Sequence, residues 1–568
     1  MHSMKKHKFG LLFGMLATSF ASVSVAQTTS PDAGSLLQQF ERERKPDLPR
    51  KALPISPAEP EAMQPLFGVI ITVNQFHLAG NKLLGTELLQ SALASYLDRP
   101  LDYTQLQAAA AAVAEVYRAA GWVVRAYLPQ QDIVGGVVTI QIVEAAFGGV
   151  RFEGEAAPYV ALARILGIFN AQQQVGAALN AHATDRALLL ASDLPGVIVS
   201  GNLHEGAQPG QTDIIIKLAN APLVGVGVDL DNTGSRSTGA DRVSANLNVN
   251  SALGQGDLIS SSLIHTEGSE YVRLGITAPV GSDGWRAGVN ASDMHYKLVS
   301  SDFATANITG TSNTVGLEAS YPLIRTRLAN LYFQCNADYK KYDNLANGAS
   351  TTYYDNSSLS MGLSGNVFDK FGGGGSTNVG VTVTNGDLNL SKSPNLSNDA
   401  ISSQTNGTYT KLRYSASRQQ VVTEDVSFAA SVSGQLASKN LDSSEKFYLG
   451  GSSGVRAYPS SEGGGAEGAL LNLELRWRLP EGFNITGFYD YGQVKANVRN
   501  NFASATPLNE YSLQGAGLTL AWQHASGLSL KATWAKRIGN NPNPTATGTD
   551  QDGSFATDRF WLTASMPF

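Results

Sequence analysis

Residues 223–568 alternate between apolar and polar side chains in segments of about ten residues, and no other feature restricts the fold as strongly. In residues 243–250, valine, alanine and leucine alternate with serine and asparagine, and residues 528–534 and 560–568 repeat the pattern. Successive side chains of a β-strand point to opposite faces. The pattern therefore predicts an antiparallel sheet. It is either a soluble sandwich with its apolar faces inward or a transmembrane barrel with its apolar faces toward lipid.

Three features favour the barrel over the sandwich. Residues 1–26 combine a basic start, a short apolar core and the small-x-small site Ser24-Val-Ala26, the pattern of a cleaved signal peptide. The polar faces are rich in serine, asparagine and threonine, which suits a hydrated lumen. The last strand, which ends at Phe568, has to pair because an open edge in lipid leaves backbone groups unsatisfied. At roughly 20 to 24 residues per strand and loop, we expect about 14 to 18 strands.

Turn signals recur between the alternating segments. They are Asp231-Asn-Thr-Gly234, Gly281-Ser-Asp-Gly284, Asn347-Gly348 and Asn385-Gly386. Asparagine and glycine tolerate the positive φ angles of tight turns. Each signal is therefore predicted to end a strand.

Composition excludes several other classes of protein. Charged residues make up 15% of the chain, below the ~25% of ordinary soluble domains. No apolar run of 18 residues follows the signal, so no transmembrane helix is predicted. The signal carries three lysines and no acids, so its removal lowers the formal charge from −6 to −9. An acidic chain argues against a nucleic-acid partner.

Residues 27–65 are interpreted as a leader. Residues 27–45 contain a helical apolar face of Leu36, Leu37 and Phe40. Six prolines in residues 46–65 favour an extended linker. The helix is either docked on the rest of the protein or part of a disordered leader.

Two similar units follow, and each has the order β-α-α-β-β. The unit at residues 66–145 has predicted helices at 86–96 and 103–120. The unit at residues 146–222 has predicted helices at 159–166 and 175–190, and its first strand is predicted at 150–154. Such small modules serve for binding or spacing.

One arginine lies in a glycine-rich loop within the strand-rich region. Arg456 follows Gly450-Gly-Ser-Ser-Gly454, and Phe488-Tyr-Asp490-Tyr-Gly492 lies downstream. On a strand, Phe488 and Asp490 share one face, so Asp490 points into the lumen if the tyrosines meet lipid. Arg456 then reaches Asp490 as a charge-assisted pair if the loop folds inward. Spacing alone leaves open an exposed arginine and an unrelated lumen acid.

Catalysis finds little support in the sequence. The six histidines after the signal are scattered, and no His-Glu-x-x-His motif is present. Residues 450–454 spell the Gly-x-Ser-x-Gly motif, but Tyr458-Pro459 and further glycines follow where that motif needs a helix. We therefore expect no enzyme activity, no metal and no cofactor.

The order of parts resembles the two-partner secretion transporters, also called TpsB or hemolysin activation/secretion proteins. Three sets of residues carry the resemblance. Gly121, Pro129, Gln130 and Glu144 match the signature of the family's polypeptide-transport-associated (POTRA) module. Gly454, Val455, Arg456, Ala457 and Tyr458 match its inward-folding loop, and Phe488, Asp490 and Gly492 match the strand partner of that loop. Ala457 departs from the glycine of many members, which makes a left-handed backbone less favourable there.

The resemblance implies a β-barrel membrane protein of about sixteen antiparallel strands at residues 223–568, in the outer membrane of a Gram-negative cell. Two α+β POTRA domains at residues 66–145 and 146–222 would lie in the periplasm, and residues 27–45 would form a plug helix. The POTRA domains would bind an unfolded hemolysin-like or adhesin-like exoprotein, and the barrel would secrete it. Arg456 would contact Asp490, while Phe568 would serve barrel closure.

The implied partners are the secreted exoprotein and outer-membrane lipid, together with periplasmic chaperones and the barrel-assembly machinery. A barrel-assembly factor that inserts other outer-membrane proteins is the main alternative. A plain porin or adhesin is a third hypothesis, and the tandem modules count against it. The sequence does not name the client.

Overall fold

The computed structural model describes residues 31–42, 48–49, 70–154 and 159–568, apart from the side chain of Asp302. The expected signal peptide and most of the expected linker lie outside the described residues. Helix α1 spans Ala33–Arg42 within the leader. No helix in the described ranges is long and apolar enough to cross a membrane.

The first unit packs two helices on a small mixed sheet. Its elements are β1 Ile71–Val73, β2 Gln75–Ala79, α2 Thr86–Leu93, β3 Arg99–Leu101, α3 Tyr103–Ala119, β4 Val124–Tyr127 and β5 Val137–Glu144. The sheet order is β2-β5-β4, with β2 and β5 parallel, while β1 pairs with β3. Asp102 starts α3 through a capping box, in which its carboxylate accepts the Gln105 N–H at 2.8 Å. The core lies between α3 and the sheet.

The second unit has the order β-α-α-β-β and, among its described residues, lacks counterparts of the short strands β1 and β3. Its elements are β6 Ala146–Glu153, α4 Leu162–Gln172, α5 Ala181–Ser192, β7 Val197–Glu205 and β8 Gln211–Asn220, and the sheet order is β6-β8-β7. The sequence-based bounds of its first three elements are wrong by several residues. Residues 177–179 are extended because they pair with the start of β6 and with the first unit. The Phe147 N–H donates to the Ala177 carbonyl at 2.8 Å, and the Val123 N–H donates to the Leu179 carbonyl at 3.1 Å. Asn180 then caps α5 by accepting the Ala183 N–H at 3.0 Å.

Residues 224–567 form a closed antiparallel barrel of sixteen strands, within the expected range. Its strands, with the inner hairpin β20–β21 and helix α6, are β9 Val224–Asp231, β10 Arg242–Asn250, β11 Leu258–His265, β12 Ser269–Val280, β13 Trp285–Lys297, β14 Ile308–Arg325, β15 Ala329–Ala346, β16 Ala349–Asp369, β17 Gly375–Asn389, α6 Leu396–Ile401, β18 Gly407–Val421, β19 Val426–Ala437, β20 Phe447–Tyr448, β21 Gly464–Gly465, β22 Glu467–Arg478, β23 Phe483–Lys495, β24 Glu510–Gln523, β25 Ser529–Arg537 and β26 Asp558–Pro567. Strand β26 closes the ring by pairing with β9.

The alternating pattern places apolar side chains outside the barrel and polar ones inside. Leu518 and Leu562 on the outer face are 53% and 56% exposed. Thr519 and Thr533 on the inner face are buried, and their hydroxyls hydrogen-bond at 2.9 Å. The apolar outer surface is the lipid-facing surface of a transmembrane barrel, so the soluble sandwich is excluded.

Three of the four turn signals lie between strands, and one is wrong. Asn347-Gly348 connects β15 to β16 with φ angles of 50° and 79°. Asn385-Gly386 instead lies inside β17, paired with β16 and β18. The reason is the buried ring of Tyr409 on β18, because a Cβ at position 386 would overlap it. Here glycine makes room for an aromatic ring, and no turn forms.

Candidate functional site

Helix α1 lies inside the barrel lumen. Its buried face of Leu36, Leu37 and Phe40 packs on aromatic and aliphatic side chains of the wall. The rings of Phe40 and Tyr271 are 5.4 Å apart at their centroids. The Ala33 N–H at the start of the helix donates to Asn344 Oδ1 at 2.8 Å. The leader is therefore docked, and the disordered alternative does not apply to residues 33–42.

The glycine-rich loop between β20 and β21 also folds into the lumen. Leu449, Val455, Ala457 and Tyr458 are buried in one cluster with wall residues that include Phe488. The Val455 N–H donates to the Leu449 carbonyl at 2.7 Å, which closes the tip of the loop. Glycine is required at position 454, since a Cβ there would overlap the Leu449 carbonyl oxygen.

Arg456 at the tip of this loop contacts Asp490 on β23 through two side-chain hydrogen bonds. Nε donates to Oδ2 at 2.9 Å and a terminal nitrogen donates to Oδ1 at 2.7 Å, while the Arg456 backbone N–H also donates to Oδ2 at 3.0 Å. Asp490 is fully buried. The guanidinium carbon lies 3.6 Å from the centroid of the Phe488 ring, a close cation–π contact. The arrangement is bidentate and shielded from solvent, so it holds the loop strongly in one orientation.

Three residues that sequence reasoning missed complete this contact. Glu474 accepts from Arg456 at 2.8 Å, Asn472 donates to Asp490 at 2.8 Å, and the Trp561 indole donates to the Arg456 carbonyl at 2.8 Å. Asn472 and Glu474 stand opposite Asp490 and Phe488 in the β22–β23 register. The signal for them was their equal parity in β22, where Asn472, Glu474 and Arg476 alternate with three leucines. Trp561 gave no signal, because its position depends on closure of the ring.

Small residues in the wall make room for the loop. A Cβ at Gly492 would lie 2.8 Å from the Leu449 side chain, and one at Gly515 would lie 2.7 Å from the Cβ of Ala457. Ala457 is fully buried against Gly515. The extra methyl group of Ala457 is thus accommodated by a glycine in the facing strand β24.

The four residues of the expected POTRA signature lie in three places. Gly121 has a φ of 85° and touches the second unit, where a Cβ would overlap the His182 ring. Glu144 accepts the N–H groups of Lys82 and Leu83, both at 2.7 Å, and the Tyr117 hydroxyl at 2.9 Å. Burial and this hydrogen bond raise the pKa of Tyr117. Pro129 and Gln130 lie in the loop after β4, and Gln130 is exposed.

The second unit is fixed to one end of the barrel by polar contacts. Arg325 on β14 donates two hydrogen bonds to Asp193, at 2.8 and 2.7 Å. Arg327 donates to Asp185 at 2.7 Å, and Arg164 donates to the Gly281 carbonyl at 2.6 Å. These contacts hold α4, α5 and Asp193 against the turns that follow β12 and β14.

A closed sixteen-stranded barrel with an occupied lumen, preceded in the chain by two POTRA-type units, defines a transporter of the bacterial outer membrane. The chain belongs to the family described as haemolysin secretion/activation protein ShlB/FhaC/HecB, which matches residues 210–521. Residues 71–145 match the ShlB-type POTRA domain.

Curated relatives and solved structures agree with this assignment. The heme/hemopexin transporter protein HuxB of Haemophilus influenzae is 26% identical over 542 residues, which is 92% of this chain and 94% of that protein. The outer membrane transporter CdiB of Dickeya dadantii is 25% identical over 546 residues, 92% of each chain. The structure of CdiB from Escherichia coli matches with a TM-score of 0.71 at 19% identity, covering 95% of this chain and 100% of that one.

The chain is therefore an outer-membrane translocator that works with a partner exoprotein and secretes it through the barrel. The POTRA domains lie in the periplasm. The barrel-assembly alternative is the weaker one. A BamA structure from Haemophilus ducreyi lacking POTRA domains 1-3 shares the fold at a TM-score of 0.51 and 16% identity, whereas the relatives named above are transporters.

Proposed function

We propose that the POTRA domains bind the unfolded exoprotein in the periplasm, and that the Arg456–Asp490 pair holds the inward loop in the conformation from which secretion starts. The observation that carries this proposal is the buried bidentate contact between the two residues, with every guanidinium nitrogen directed to a carboxylate. The inward loop occupies the barrel lumen, which is the path that a polypeptide would follow. Its position therefore governs whether the pore conducts.

The sheets of the POTRA domains supply edges for an extended client. Strand β7 is nine residues long and forms one edge of the sheet β6-β8-β7. An extended peptide can add to such an edge through main-chain hydrogen bonds, which tolerate many client sequences. That mode of binding suits a chain that has to stay unfolded until it leaves the cell.

The proposal also covers the domain boundaries, the further partners and the client. The domain boundaries are residues 1–26 for the signal peptide, 27–45 for the plug-like helix and 46–65 for the linker. Residues 66–145 and 146–222 form the POTRA domains, and residues 223–568 form the barrel. The barrel contacts outer-membrane lipid, periplasmic chaperones and the barrel-assembly machinery handle the chain before insertion, and the protein has no catalytic role. The client is a large hemolysin-like or adhesin-like exoprotein.

The test is co-expression with a candidate exoprotein encoded by a neighbouring gene, followed by assay of the medium. We expect the exoprotein in the medium only when this chain is present. Deletion of residues 66–145 should abolish binding of the purified client. Retained binding would place recognition outside the first POTRA domain, and an exoprotein that stays in the periplasm would overturn the transport role.

A further inference from the structure

The lumen wall holds a carboxylate of the plug helix between two basic side chains. Glu41 lies in the last turn of α1. Its Oε1 lies 3.6 Å from a terminal nitrogen of Arg273 on β12, and its Oε2 lies 3.4 Å from Nζ of Lys340 on β15. Both basic side chains are only about one-eighth exposed. The wall thus contains a site that binds a carboxylate, and in the closed pore the protein supplies that carboxylate itself.

A cavity of about 520 Å³ adjoins this site and extends it. Lys411 on β18 lines the cavity and is paired with the buried carboxylate of Glu445, which belongs to the segment between β19 and β20. Glu445 also accepts a hydrogen bond from Asn356 at 2.7 Å. Glu445 precedes the inward loop in the chain, so two of the four acids around the cavity, Glu41 and Glu445, come from the elements that fill the lumen.

Displacement of these elements changes the charge of the wall. A polypeptide can cross the lumen only when α1 leaves it, since the helix packs directly on the wall. The strands then retain five basic residues at the cavity, Arg273, Arg286, Lys340, Lys411 and Arg413. Only two acids, Glu318 and Asp338, stay with them if Glu445 also leaves. Partly buried cations without partners are costly, and an incoming carboxylate relieves that cost.

We propose that Arg273, Lys340 and Lys411 form a transit site for acidic side chains of the exported polypeptide, and that Glu41 occupies this site while the pore is closed. The inference rests on the proposed function, and it adds a chemical preference to the transport path. Each acidic stretch of the client takes the place that Glu41 leaves. The client thereby competes with the plug helix for the same cations.

The test uses full-length variants in planar lipid bilayers, with poly-glutamate, poly-glutamine and poly-lysine peptides of equal length added on the periplasmic side. Glu41→Gln weakens the hold on α1 and is expected to raise the fraction of time that the pore conducts. In this variant, poly-glutamate should block the current at a concentration at least about fivefold lower than poly-glutamine does. That factor is the upper end for an exposed ion pair, and the pairs at this site are largely shielded from solvent. Poly-lysine should block no better than poly-glutamine.

A matched pair of substitutions distinguishes binding at the lumen site from the effect of removing one positive charge anywhere on the barrel. Adding Lys340→Gln to Glu41→Gln should remove the preference for poly-glutamate. Lys341→Gln is the control, because Lys341 is the next residue on β15 and its exposed side chain stacks on Tyr339, outside the lumen. If Glu41→Gln does not raise conductance, the same peptides are compared on the spontaneous openings of the wild-type protein and of Lys340→Gln.

The outcomes distinguish this inference from the transport role. Equal block by the acidic and neutral peptides, or equal effects of Lys340→Gln and Lys341→Gln, would overturn the transit site even if secretion is normal. Preferential block by poly-glutamate that Lys340→Gln removes would support the site even if no exoprotein reached the medium. In that case only the proposed transport role would fail.

Discussion

At the scale of single residues, the buried carboxylate of Asp490 depends on Arg456 for its charge balance. Removing one partner of a buried ion pair costs about 3–5 kcal/mol, because the other charge stays buried without compensation. We therefore expect Arg456→Ala and Asp490→Ala to release the inward loop and lower secretion at least about tenfold, while the barrel still assembles. The measurement is the amount of exoprotein in the medium relative to the folded barrel in the outer membrane.

Arg476→Ala is the control for that experiment. Arg476 also donates to Glu474, at 2.7 Å, but its side chain is 43% exposed. Exposed ion pairs contribute little, so secretion should stay close to that of the wild type. Full secretion by both the Arg456 and the Asp490 variants at normal abundance would refute the role of the pair.

Gly121 gives a second prediction at this scale. Gly121→Ala forces a residue with a Cβ into a positive φ and overlaps His182, so it should destabilise the POTRA region by about 2–4 kcal/mol. Trp122 is the only tryptophan before residue 223, and the other five lie in the barrel. The difference in emission from a Trp122→Phe protein therefore reports urea unfolding of this region within the intact protein. Gly135→Ala is the control: it has a φ of 65° in open space and should cost only about 1 kcal/mol. Equal shifts in the urea midpoints of the two variants would mean that the overlap with His182 does not lower the stability of the POTRA region.

At the scale of elements, the final strand depends on its last backbone group. The Phe568 N–H donates to the Val226 carbonyl at 2.8 Å, beyond the last register pair of β26 and β9. Deletion of Phe568 removes this bond and should lower the amount of folded barrel in the outer membrane, measured by heat-modifiable migration in gels. Phe568→Leu keeps the backbone and should have a smaller effect. Unchanged abundance after the deletion would count against a role in closure.

Sequence alone predicted the strands well and their partners poorly. The alternation of apolar and polar side chains can be seen within a single strand, without knowledge of its neighbours. It therefore identified the barrel region and its lipid-facing side. The failures at residues 175–180 and at Asn385-Gly386 have tertiary causes, because these residues pair with or make room for distant parts of the chain. Trp561 escaped for the same reason, since only a closed ring brings β26 next to the loop. Glu474 lies on β22, which pairs with the next strand β23, and only its parity indicated it.

At the scale of the whole molecule, the Arg325–Asp193 contact joins the periplasmic region to the barrel. Arg325→Ala removes a bidentate pair and should broaden the range of orientations of the second POTRA domain. Spin labels on Gln208→Cys and Lys370→Cys, introduced with Cys335→Ser, would report this as a wider distance distribution. Arg118→Ala breaks an exposed pair within α3 and should leave the distribution unchanged. If the distance distribution of the Arg325→Ala variant were as narrow as that of the protein with Arg325, other contacts would fix the orientation of the second POTRA domain.

The joint between the first and last strands of the barrel has a mechanical consequence. Strands β26 and β9 share five register pairs, from Thr563–Asp231 to Pro567–Gly227, whereas β15 and β16 share eighteen. A load that pulls the wall outward is divided among the fewest hydrogen bonds at this joint. The tensile strength of the ring is therefore set where its first and last strands meet. This joint is distant in sequence from the loop and the helix that block the lumen.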